Sequence, residues 1–236
     1  MPRFVPVLLL LLAIRPALAL DCDSASRLLF DHAETTALIQ AAPERCAIAP
    51  WGPPEDRVVA VALALEGNSM VVALVRHSEE EALVIAGPDT IEALGIDPFW
   101  SVALEVLPPL PLGPMHPHIA IRVANSYLST GRSSASTALH LVLLRGDRLV
   151  LGFAGWLAYE HNGAVPCARR DWIGPACRSG FARRFEIGTT GTPPPGMPPD
   201  ILVRDGRTRL PVSRHRWRGD HYDPPAYDPL PPMVGG

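Results

Sequence analysis

Residues 57–77 read RVVAVALALEGNSMVVALVRH, and this stretch decides the fold. Arg57 to Glu66 is rich in Val, Ala and Leu and reads as a buried strand. Met70 to His77 is a second apolar run, and Gly67-Asn68 between them is good hairpin chemistry. Glu79 to Glu81 is too polar for a core and reads as the next turn, so Ala82 to Ala86 becomes a third strand and the three make a meander. Asp89 to Leu94 reads as one or two helical turns.

Further on, Ser101 to Leu107 is a strand ended by Pro108-Pro109-Leu110-Pro111, and His118 to Ala124 alternates as a half-buried strand does. Ser126 to Thr137, with seven Ser and Thr and Gly131, reads as a polar loop. Leu139 to Leu144 and Leu149 to Tyr159 pair across Gly146-Asp147. Phe181 to Ile187, Ile201 to Arg204 and Thr208 to Arg216 complete the strands. Thr189 to Pro199 (TTGTPPPGMPP) is a stiff proline loop. Asp223 to Gly236 reads as a disordered, Pro-rich tail. With 27 Pro in 236 residues, a helix-rich fold is excluded. The expected class is mainly β, an antiparallel sandwich or curled sheet with one N-terminal helix, in a single domain over residues 20–222.

At the other end, Arg3, the apolar run Phe4–Ile14 and Ala17-Leu18-Ala19 have the layout of a secretory signal peptide cleaved after Ala19. Asp21 before Cys22 argues against lipid attachment, and the apolar run is too short to span a bilayer, so no stable membrane anchor is expected. The protein is therefore expected to be periplasmic or secreted. Every basic residue is Arg. Removing Arg3 and Arg15 leaves 19 Arg against 24 acids, a formal charge of −5 that gives no reason to seek nucleic acid.

An even set of cysteines in an exported chain implies two disulfides, with three possible connectivities. Cys167 and Cys177 flank a nine-residue loop that closes easily, and Cys22–Cys46 follows by elimination. Residues 24–41 read as an amphipathic helix capped by Ser24, with Leu29, Ala33, Ala37 and Ala41 at four-residue steps. A continuous helix of that length, ~27 Å at ~1.5 Å per residue, leaves only five extended residues to bring Cys46 back to Cys22. Either the helix is a turn shorter, or the connectivity is long-range.

Common catalytic signatures are missing: no G-x-S-x-G, no H-E-x-x-H, no Walker loop, no G-x-G-x-x-G after a strand. The metal candidate is Met115-His116-Pro117-His118, whose histidines at i and i+2 point to one strand face. Arg214, Arg216 and Arg218 around Trp217 form a candidate anion contact with an aromatic for stacking; the alternative is a solvated face paired with Asp205, Asp220 or Glu186. Arg169, Arg170 and Trp172, inside the Cys167–Cys177 loop, form a candidate recognition surface.

The segments Asp200–Arg204 and Arg214–Tyr222 resemble the ends of uncharacterised exported β-rich proteins of proteobacteria. There a strand ends in an aromatic-x-W-x-G-x-x-Y pattern; here His215 replaces the first aromatic. The resemblance covers about the last tenth of the chain and implies β structure and export, with no activity attached. The expected function is that of a non-enzymatic β domain binding an envelope protein or glycan, with no cofactor. The alternatives are a hydrolase with dispersed catalytic residues, or a metal-handling protein using His116 and His118.

Overall fold

The structure, a computed structural model, describes residues 20–30, 42–65, 67–78, 81–96, 101–113, 116–129, 132–162 and 180–227. Two antiparallel sheets carry it. The smaller is the meander β1 (Cys46–Pro50), β2 (Val58–Ala64), β3 (Ser69–His77) and β4 (Ala82–Glu92), in that order. The larger holds β5 (Ser101–Leu107), β6 (His118–Ser129), β7 (Arg132–Arg145), β8 (Arg148–Asn162), β9 (Gly180–Thr190), β10 (Asp200–Asp205), β11 (Pro211–Trp217) and β12 (Tyr222–Asp223), also in chain order. The order does not close into a barrel.

The unbroken apolar run of β2 has a simple cause: both of its faces are covered, and all seven residues are buried. Ala60, Ala62 and Ala64 pack between the sheets with Met70, Val72, Ile119, Ile121 and Val142. Val59, Val61 and Leu63 face the opposite way, toward Ala25 and Leu29 of helix α1 (Cys22–Leu29). A third cluster, Leu139, Leu141, Phe153, Phe185, Ile201, Val203 and Tyr222, fills the far side of the larger sheet, where β9–β12 curl over it.

The helix is shorter than its sequence pattern. Asp21, not Ser24, caps it, with its carboxylate accepting the Ser24 N–H at 2.7 Å. Phe30 is extended, so no continuous helix reaches Ala41; residues 31–41 lie outside the described residues. Cys22 and Cys46 are joined by a disulfide with Cα atoms 6.0 Å apart. Of the two ways to reconcile helix and bridge, the shorter helix is the one observed.

Two other expectations are corrected. Asp89–Leu94 is not helical: β4 runs on to Glu92 past a register shift opposite Val72–Leu74. The device is Gly87, at φ +77°, where an added Cβ would lie 2.7 Å from the Val72 carbonyl oxygen. Asp89 is fixed from the other sheet, since its carboxylate accepts Arg148 Nε–H at 2.6 Å and the Leu149 N–H at 2.7 Å.

Nor are Ser126–Ser129 and Arg132–Thr137 a loop. They are the paired ends of β6 and β7, in register from His118↔Leu143 to Ser129↔Arg132, with residues 130–131 outside the described residues. Their serines read as loop residues by composition, yet Ser134 and Ser136 are buried in strand positions.

The chain end is tied in as well. β9 leaves β8 after pairing at residues 158–162, and β13 (Ala226–Tyr227) pairs in parallel with the freed edge at Ala154–Gly155. The segment read as a tail therefore has its first five residues held; 228–236 lie outside the described residues. Among the described residues, no helix is long and apolar enough to cross a membrane.

Candidate functional site

Alternation along β9, β10 and β11 sorts their side chains onto two faces. Phe185, Ile201, Val203 and His215 face the core and are buried. Strand pairing of Glu186 with Arg204, and of Leu202 with Arg214, places Arg184, Glu186, Arg204, Asp200, Arg214 and Arg216 together on the opposite face. Arg209 reaches Glu186 on this face and forms an ion pair with it, and Arg214 pairs with Asp200 at 2.6 Å. Arg184, Arg204 and Arg216 have no ion-pair partner among the described residues. Five guanidinium groups thus stand against two carboxylates.

Asp205, beyond the face, is engaged by its own turn through Oδ1 and by Arg183 at 3.8 Å through Oδ2. The Thr208 backbone N–H foremost holds its carboxyl below the usual range.

The sequence-derived cluster of Arg214, Arg216, Arg218 and Trp217 is only partly preserved. Arg218 follows the strand and pairs with Asp223 at 3.2 Å, so the acids used by Arg214 and Arg218 are Asp200 and Asp223. Trp217 is on the core side, with the Arg145 guanidinium 5.1 Å over its ring. The rings of His116 and Tyr222 meet it edge-on at 5.2 and 5.1 Å. It is a packing hub, unavailable for stacking beside Arg216.

Nor do His116 and His118 share a strand face, because β6 begins at His118. The His118 Nε2 accepts the Leu110 N–H at 2.9 Å and its Nδ1–H donates to the His116 carbonyl at 3.0 Å, which uses both ring nitrogens. Burial, above all, pulls its pKa down. His116 instead donates through Nε2–H to the Gly196 carbonyl at 3.1 Å. Among the described residues, no three His, Cys, Asp or Glu side chains are grouped to hold a metal ion. Arg169, Arg170, Trp172 and the Cys167–Cys177 pair lie outside the described residues.

Sequence reasoning missed Arg184 and Arg204, which join the face only through strand pairing. It also missed Ser134, whose hydroxyl lies 2.6 Å from His161 Nδ1 across β7 and β8. The spacing of 27 residues carries no motif.

The chain matches no known family model, no characterised protein and no solved structure.

Proposed function

We propose that this chain is an exported binding module that docks an acidic protein of the cell envelope on the outer face of β9–β11. The observation that carries this reading is the set Arg184, Arg204 and Arg216: three guanidinium groups without acid partners among the described residues, on a sheet face, in a chain that is otherwise acidic. A sheet is a rigid support, and arginine forms bidentate bonds to carboxylates, so the face is organised before a partner arrives.

Chemistry favours a protein over the other envelope components. Glu186 and Asp200 interrupt the positive charge, which suits a patterned partner better than a uniformly anionic lipid surface. Among the described residues, the aromatic on the strand beside Arg216, Trp217, is covered by Arg145 and turned to the core side, so it offers no ledge for a sugar ring. The signal-peptide layout, the Cys22–Cys46 bridge and the resemblance to exported β-rich proteins support the address.

The test is titration of the full chain with poly-L-glutamate, with phosphatidylglycerol vesicles as comparison. Binding to the polypeptide, weakened by salt, is expected. The triple replacement of Arg184, Arg204 and Arg216 by Ser is expected to lower affinity at least about 100-fold, at ~1 kcal/mol or more for each charge-assisted bond. Equal binding by the triple variant, or binding to vesicles alone, contradicts the reading.

A further inference from the structure

Midway along β6–β8, the face that packs between the sheets changes character. At Ile119, Ile121, Val123 and Val142 it is apolar and joins the core between the sheets. Beyond them the same face carries Asn125, Ser134, Ser136 and Tyr159, each buried. Register places Tyr127, Ser134 and His161 in one row and Asn125, Ser136 and Tyr159 in the next. Burying polar groups opposes folding unless they are bonded, so a polar patch within an apolar face is where function is to be sought.

Ser134 is the centre of this patch. Its Oγ lies 2.6 Å from His161 Nδ1 on the adjacent strand, and the Tyr159 hydroxyl hydrogen-bonds to it. Burial raises the Tyr159 pKa, which keeps the phenol a donor at neutral pH. A hydroxyl beside an imidazole, with a second O–H donor next to the same oxygen, provides the three groups acyl transfer needs.

We propose that Ser134 is a nucleophile for acyl transfer from small carboxylic esters, with His161 as its base and Tyr159 as the oxyanion donor. The site goes beyond the binding reading and is independent of the arginine face. In the resting site the Ser134 hydroxyl donates to His161 Nδ1, with the Tyr159 hydroxyl beside it. Oγ attacks the ester carbonyl carbon as its proton moves to Nδ1, and Tyr159 turns its O–H to the developing oxyanion. Collapse breaks the bond to the alkoxy oxygen, which leaves as the alcohol with the proton from His161. Water then gives a proton to His161 and attacks the acyl carbon; Ser134 Oγ leaves and takes that proton back. The sum is ester plus water to acid plus alcohol.

The experiment is treatment of the full chain with diisopropyl fluorophosphate, which phosphorylates an activated serine with loss of fluoride, followed by intact mass and peptide mapping. A single adduct on Ser134 is expected, together with turnover of p-nitrophenyl acetate. His161→Gln is expected to slow labelling about 100-fold or more, as loss of a general base does. Tyr159→Phe is expected to slow ester turnover about 10–100-fold, as loss of an oxyanion donor does. Ser134→Ala is expected to abolish the adduct while poly-L-glutamate binding is unchanged, which separates this site from the arginine face. No adduct on wild-type Ser134, or equal labelling rates in wild type and a folded His161→Gln, overturns the proposal.

Discussion

Three buried histidines act as neutral anchors for the backbone. His118 accepts the Leu110 N–H, His140 accepts the Leu94 N–H at 2.8 Å, and His215 donates to the Pro224 carbonyl at 2.6 Å. Burial pulls the pKa of His140 down to about 4, and shifts His118 and His215 in the same direction. Between pH 6.5 and 4 the unfolded chain binds protons that folded His140 refuses, so stability falls as the pH drops through this window. The loss from His140 alone is about 3 kcal/mol by pH 4, at ~1.4 kcal/mol per unit. Urea midpoints measured from pH 7 to pH 4 should show the fall, and His140→Gln, which keeps an acceptor for Leu94 but does not titrate, should flatten it. Asp89 ties the sheets together at the same scale. Asp89→Ala leaves the Leu149 N–H without its acceptor, and an equilibrium unfolding curve should register a loss of about 2 kcal/mol. None of these bonds is legible in the sequence, since the partners lie eight to sixty residues apart and no spacing rule joins them.

Elements read well from sequence where one period governed them and poorly where composition misled. The β2–β3 hairpin was legible because its apolar runs flank Gly67-Asn68. The β6–β7 hairpin was not, because serine favours loops in general while here Ser134 and Ser136 fill buried strand positions. Helix α1 was overextended: the alanine spacing of residues 24–41 is helical, but Phe30 is extended and the Cys22–Cys46 bridge closes close by. That bridge fastens α1 to β1 over a separation of 24 residues, so replacing both cysteines by Ser should lower stability by about 3 kcal/mol, seen as an earlier thermal midpoint. β13 makes a second elemental prediction. The Ala154 N–H donates to Pro225 at 2.9 Å, and ending the chain at Asp223 should turn this slowly exchanging amide into a fast one, while the Val142 amide in β7 stays protected. Unchanged exchange at Ala154 would remove β13 from the account.

Over the whole molecule, charge is segregated. Residues 180–227 hold eight arginines and five carboxylates, whereas residues 20–179 hold eleven arginines and eighteen carboxylates. The C-terminal strands thus present a positive face on a negative body, an arrangement that steers an acidic partner to one side. The sequence pointed to Arg216 through its alternation with Arg214, but the site as a face appears only when β9 and β10 are laid beside β11.

The most direct test places a photo-crosslinking residue at Val212, 45% exposed on the arginine face, and in a control chain at Leu83, 53% exposed on the smaller sheet. Each chain is irradiated in the envelope of its own host. One acidic protein is expected to crosslink from position 212 and not from 83, and to be lost when Arg184, Arg204 and Arg216 are replaced by Ser. Crosslinks from position 83 alone, or from 212 undiminished by those replacements, would contradict docking on this face.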